Sequence, residues 1–90
     1  MATINLSEGL ILAAEADDKR IRLIIYKNDA ELACRKTSLK EIDRFLVGAE
    51  PSLFKGRLQL LKDQGNILIK VKTDIVGVTS QEILRNLLIQ

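Results

Sequence analysis

The sequence predicts an α+β fold of two degenerate βββα halves, an antiparallel sheet with two short helices, and three observations carry that expectation. Apolar residues alternate with polar ones over strand-length stretches: Ile21, Leu23 and Ile25 against Arg22, Ile24 and Tyr26, then Ile67, Ile69 and Val71 against Leu68, Lys70 and Lys72. Turn-forming clusters separate these stretches, most clearly Lys27-Asn28-Asp29 and Asp63-Gln64-Gly65-Asn66. Two segments share the form Glu-Ile-x-Arg-x-Leu, at 41–46 and 82–87, each preceded three residues earlier by a hydroxyl residue, Ser38 or Thr79. Both therefore have the outline of a capping box.

Composition bounds the class. Ninety residues make one small domain, and 47% hydrophobic with 29% charged content is globular rather than disordered. The apolar residues are aliphatic, with Phe45, Phe54 and Tyr26 as the aromatics and no tryptophan. A core without large rings reaches its density through many aliphatic contacts, and a homodimer that buries further apolar surface fits such a composition. A net charge of +2 is too mild to imply a nucleic-acid or membrane partner by itself. The single cysteine, Cys34, leaves no internal disulfide and favours a cytoplasmic setting. No apolar run reaches the roughly 18 residues of a membrane span, and Met1 to Glu8 lacks the basic and apolar regions of a secretory signal.

The first half is expected over about 9–48. Before it, Ile4 and Leu6 can pair as an edge strand or tuck the terminus down. Gly9 opens an apolar run, Leu10 to Ala14, that ends at the acidic turn Glu15 to Asp18. The strand around Leu23 follows, and after Asn28-Asp29 a third runs from Ala30 to Lys36, with Leu32 and Cys34 on one face and Glu31, Ala33 and Arg35 on the other. Ser38 caps a helix whose stripe is Leu39, Ile42, Phe45 and Leu46, and Gly48 with Pro51 ends it.

The second half is expected over about 53–90. Leu58 and Leu60 point inward, Gly65 supplies the positive φ of a hairpin, and Ile75 to Val78 forms a short strand before Thr79 caps the last helix. Its apolar stripe is Ile83, Leu84, Leu87 and Leu88. The apolar end Leu87-Leu88-Ile89-Gln90 is either packed on the domain's own sheet or docked into a neighbour. Aligning the halves gives offsets of 41 for the helix boxes, 45 or 46 for the central strands and 47 for Gly9 and Gly56. Such an alignment describes an internal duplication with small indels in its turns, and a pseudo-twofold axis is the expected relation between the copies.

No catalytic, cofactor or metal signature stands out. The chain has no histidine, hence no Ser-His or Cys-His arrangement. Cys34, beside Leu32, reads as a small hydrophobe, although Arg35 and Lys36 would lower the pKa of an exposed thiol. Glu15, Asp17 and Asp18 form an acidic cluster without calcium-loop spacing, and Lys55-Gly56-Arg57 is a basic turn without phosphate-loop spacing. No catalytic, cofactor-binding or metal residue is assigned, and an enzyme is not expected.

The informative feature is the outward strand face. If Leu23 and Ile69 point to the core, then Arg22, Ile24, Tyr26, Leu68, Lys70 and Lys72 point away, joined by Arg57 and Gln59 and provisionally by Arg35. One reading is a protein-interaction or regulatory module, homodimeric, that binds through Ile24, Tyr26, Leu68, Leu87 and Leu88. Another is a nucleic-acid-binding face of Arg22, Tyr26, Arg57, Lys70 and Lys72, with Tyr26 stacking a base, and a third is simply a solvated sheet face with alternating charge. Some single-strand nucleic-acid binders use strand meanders closed by a helix, a likeness at the level of topology alone.

Overall fold

The computed structural model describes residues 2–7 and 9–89; Met1, Glu8 and Gln90, named in the terminal segments above, lie outside the described residues. The chain is α+β, with two antiparallel four-stranded sheets and two helices. Sheet 1 is the meander β1 (Ala2–Ser7), β2 (Leu10–Asp17), β3 (Arg20–Lys27), β4 (Ala30–Thr37), followed by α1 (Leu39–Val47). Sheet 2 repeats the order with β5 (Ser52–Leu53), β6 (Leu58–Asp63), β7 (Asn66–Val71), β8 (Asp74–Ser80), followed by α2 (Gln81–Leu88).

Each half thus carries one strand more than the sequence pattern suggests. Of the two roles open to Ile4 and Leu6, edge pairing is the one taken: Ile4 lies opposite Leu12. The two-residue β5 joins β6 through Ser52 and Leu53, too short to leave an alternation signal. Likewise β2 does not stop at Glu15 but pairs on to Asp17 opposite Arg20, so the acidic residues lie in a strand and the turn begins at Asp18.

The inner faces of both sheets and the apolar sides of both helices form one core. Leu12, Leu23 and Ile25 from sheet 1 meet Leu58, Leu60, Ile67 and Ile69 from sheet 2, with Ile42 and Phe45 from α1 and Leu84, Leu87 and Leu88 from α2. In β3, β6 and β7 the inward residues are those the alternation predicts. A radius of gyration of 11.9 Å, close to the roughly 12 Å expected for one compact body of this length, agrees with a single shared core.

Contacts between the halves are reciprocal. Helix α1 packs against β5 and α2 against β1, while edge β1 meets β8 and edge β4 meets β6. At the first of these edges Gly77 is required by space: a Cβ there would lie 2.7 Å from Leu6 Cβ. Two cations fasten the other junction. The Arg35 guanidinium sits 5.0 Å from the Phe54 ring centroid and donates to the Lys55 carbonyl. Lys62 Nζ lies 4.8 Å from the Phe45 ring centroid and donates to the Gly48 carbonyl at 2.6 Å, where the negative end of the α1 dipole favours a cation.

Two expectations are corrected. The last helix is capped by Ser80, whose Oγ accepts from the Ile83 amide at 3.0 Å, not by Thr79. Thr79 is instead the inward-facing penultimate residue of β8, and its buried Oγ1 has no hydrogen-bond partner among the described residues. The shared Glu-Ile-x-Arg-x-Leu form is therefore one residue out of step with the structure. Ile42 and Phe45 correspond to Leu84 and Leu87, and Ile83 is half exposed, outside the buried stripe. In α1 the Ser38 cap is as expected, accepting from the Glu41 amide, but the Glu41 carboxylate accepts from Thr37 Oγ1 instead of reaching back to the Ser38 amide.

The second correction concerns β4. Its register slips between Ile25 and Tyr26, so that Ala33 faces Ile25 while Glu31 faces Tyr26 and Leu32 is the bulged residue. Beyond the bulge the parity is reversed from that expected: Ala33, Arg35 and Thr37 share the inner side, and Cys34 and Lys36 point outward. Arg35 consequently leaves the outer face and serves the junction with Phe54. Strand β8 bulges at the corresponding place, between Ile69 and Lys70, with Val76 the bulged residue.

Ser80→Ala should lower stability by about 1 kcal/mol, whereas Thr79→Val removes an unpartnered buried hydroxyl and should raise it by about 1 kcal/mol; urea unfolding of both variants checks the cap, and a greater loss at Thr79 would return the cap to that residue. Gly77→Ala should cost roughly 1–3 kcal/mol by overpacking the β1–β8 contact, and an unchanged urea midpoint would show that the two edges do not touch.

Candidate functional site

Because the two sheets share a core, their outer faces look away from each other. The five residues of the expected nucleic-acid face are thereby divided: Arg22 and Tyr26 belong to sheet 1, Lys70 lies in sheet 2, and Arg57 and Lys72 flank its strands. The one aromatic does not share a surface with Lys70.

The outer face of sheet 1 is charge-balanced and largely paired within itself. Arg22 Nη2 donates to Glu31 Oε1 at 2.9 Å and to Cys34 Sγ at 3.6 Å. Glu31 faces Tyr26, four residues along the strand from the Arg22 position, so the guanidinium must run along the row that holds Ile24 and Cys34. Ile24 is outward by parity yet 0% exposed, an apolar residue roofed by its neighbours and not available to a partner. The hydrogen bond to Cys34, then the charge of Glu31, hold the Arg22 guanidinium above its ordinary pKa. Lys36 Nζ pairs with Asp17 Oδ2 at 3.2 Å. Such exposed pairs contribute little to stability, but they leave this face without a net sign.

Cys34 is exposed on that same face, contrary to its expected place beside Leu32 in the interior. The bulge is the cause. Among the described residues no group of three His, Cys, Asp or Glu side chains is disposed to hold a metal ion.

The outer face of sheet 2 differs in kind. Leu61, Leu68 and Val78 lie directly opposite one another across β6, β7 and β8, and Ile75 stands in the next row opposite Lys70. Val78 is 52% and Ile75 49% exposed, and Leu61 and Leu68 are half-buried. Facing residues in adjacent strands are about 5 Å apart and diagonal ones about 7–8 Å, so Leu61, Leu68 and Val78 form an apolar row with Ile75 diagonal to Leu68. Toward one end of the strands lie Lys70, Arg57 and Lys72, none of which has an ion-pair partner among the described residues. Toward the other lie Asp63, Asn66 and Ser80. The face therefore grades along the strand direction from acidic and polar, through apolar, to basic.

Leu87 and Leu88, expected as interaction residues, are 5% and 8% exposed and belong to the core of their own chain. Of the two fates open to the apolar end of α2, self-packing is the one realised for these residues, while Ile83 and Ile89 remain exposed. Asp43 and Arg85 face each other between the helices at 3.6 Å, close enough for charge attraction and too far for a hydrogen bond. Missing from the expected site were Ile75, Val78 and Leu61. Leu61 could have been found from the outward parity of Gln59, whereas Ile75 and Val78 depend on the β8 bulge.

Comparison of the chain with protein-family models, with curated proteins and with solved structures finds no match. No helix of the described residues is long and apolar enough to cross a membrane.

Native protein should react with a thiol reagent at Cys34 without denaturant, at a rate close to that of the unfolded chain. Protection that is lost only on unfolding would place the thiol inside and remove the β4 bulge. Rapid labelling follows from exposure alone and does not separate an enzyme from a binding module.

Proposed function

We propose that this protein is a non-enzymatic interaction module, cytoplasmic, that pairs with a second copy of itself through the outer face of sheet 2. The observation that supports this reading is the partly exposed apolar row Leu61–Leu68–Val78 with Ile75 beside it, on a chain whose other sheet face carries two ion pairs of its own. The occupant is suggested by the gradient of charge. When two copies meet with strands reversed about a twofold axis in the interface, apolar row meets apolar row and the Asp63 end of each meets the Arg57, Lys70 and Lys72 end of the other. A self-complementary patch of this kind suits an isologous dimer.

The two ββββα halves descend, on this reading, from one duplicated unit, and the free exposed thiol of Cys34 suits a reducing compartment. A second reading, nucleic-acid binding, is favoured by the three unpaired cations Arg57, Lys70 and Lys72. It is weakened by the position of Tyr26 on the opposite sheet and the engagement of Arg22 with Glu31.

Sedimentation or light scattering over a concentration series is expected to show a dimer, and Leu68→Asp is expected to yield a folded monomer with unchanged circular dichroism. A wild-type chain that stays monomeric at high concentration refutes the self-association. If the second reading were correct, single-stranded oligonucleotides would bind with an affinity that falls steeply with salt and is lost on combining Lys70→Glu with Lys72→Glu.

A further inference from the structure

Both helices leave the sheets from the same strand ends. Thr37, before α1, lies opposite Ile21 next to the β2–β3 turn, and Ser80, which caps α2, lies opposite Asn66 next to the β6–β7 turn. The helices touch each other there and bury Ile42, Phe45, Leu84 and Leu87 between the sheets. At the opposite strand ends, where the β3–β4 and β7–β8 turns lie, no helix of the described residues closes the space between the sheets. A cavity of about 240 Å³ opens there.

Its apolar walls are Leu10, Leu32, Val71 and Val76. Leu32 and Val76 are the bulged residues of β4 and β8, so the two irregularities of the sheets meet at one place, and a bulge is a means of re-aiming a side chain. Lys27, Lys72 and Asp74 stand at the mouth, all exposed, and no ion pair joins them among the described residues. Lys72 also occupies a left-handed backbone position, φ 57°, which Asn, Asp and Gly adopt more readily. The corresponding turn of sheet 1 has Asn28 there, and the two amides make equivalent bonds, Asn28 to the Gly9 carbonyl and Lys72 to the Arg57 carbonyl. The turn geometry thus does not ask for a lysine; a charge at the mouth is the property gained.

We propose that this cavity binds a small aliphatic monocarboxylate, the hydrocarbon chain lying between Leu32 and Val76 and the carboxylate meeting the Lys27 and Lys72 ammonium groups. Among the described residues two cations stand against one carboxylate, and they set the sign of the ligand head. The volume, about eight times that of a water molecule and below the usual range for drug-sized ligands, limits the tail to a few carbons. The apolar walls of the site lie between the sheets, but its Lys72 is shared with the basic end of the outer face of sheet 2.

The probes are butanoate, pentanoate and hexanoate, titrated into the full chain and followed by methyl NMR of its leucine and valine residues, with hexylamine and acetate as controls. Shifts are expected at Leu10, Leu32, Val71 and Val76, with affinity rising about fourfold per added methylene, the free energy of burying one CH₂. Hexylamine and acetate should leave these methyls unmoved. Lys27→Met and Lys72→Met should each weaken hexanoate binding roughly five- to tenfold, as the loss of a charge-assisted contact does, and Leu32→Trp should abolish it by filling the cavity. Urea midpoints of all three variants establish that they fold, and Val76→Trp, at the opposite wall, replaces Leu32→Trp if that variant does not. Absence of methyl shifts at millimolar hexanoate, equal response to hexylamine, no dependence on chain length, or full affinity in the Lys27→Met, Lys72→Met double variant would each overturn the proposal.

Discussion

The structure depends on the inability of either half to close its own core. Each sheet has one dry face and each helix one apolar stripe of two or three buried residues, too little to cover a four-stranded face alone. The halves solve the problem mutually, with α1 on β5, α2 on β1 and the inner residues of both sheets in one cluster. Hydrophobic burial is roughly proportional to the area withdrawn from water, and here most of the buried apolar residues lie in the shared interior. The cations at the seam act within the same constraint. Arg35 over Phe54 and Lys62 over Phe45 lay aliphatic stems across the junction while their charged ends reach backbone carbonyls.

The same constraint explains how the halves differ. Corresponding turns between the second and third strands, Asp17 to Arg20 and Asp63 to Asn66, are 46 residues apart. The next turns, Lys27 to Ala30 and Val71 to Asp74, and the bulges after them are 44 apart. The caps Ser38 and Ser80 are 42 apart. Every step is two residues. A strand can lose two residues and keep its dry face dry, while loss of one would turn each later side chain to the other side. A core shared by both halves makes that penalty severe, because a parity error in one sheet would strip the interior of the other.

Polar devices then decide what the outer surfaces can do. On sheet 1, Arg22 pairs with Glu31 across the row containing Ile24, and Lys36 pairs with Asp17, so a face with an apolar centre is sealed by its own side chains. On sheet 2, the positions facing and flanking Leu68 hold Leu61, Val78 and Ile75, of which Val78 and Ile75 stay exposed, and among the described residues the nearby cations Arg57, Lys70 and Lys72 form no ion pair. The two bulges act inside the fold, turning Leu32 and Val76 toward a common opening at the end the helices leave uncovered.

Local pattern by itself determined the α+β class, the hairpin turns at Asn28-Asp29 and Gln64-Gly65, the inward residues Leu23, Ile25, Leu58, Leu60, Ile67, Ile69 and Val71 and the Ser38 cap, because each follows from periodicity or from backbone preferences that extend over only a few residues. Tertiary structure alone decided the rest. Whether Ser80 or Thr79 caps α2 turns on which hydroxyl faces the shared core, and both lie one step from the helix. The exposure of Cys34 and the outward row of sheet 2 turn on bulges, which leave no mark in an alternating sequence because the extra residue, Leu32 or Val76, is itself apolar. The separation of Tyr26 from Lys70 followed from the packing of two sheets back to back, a long-range arrangement that no window of neighbouring residues encodes.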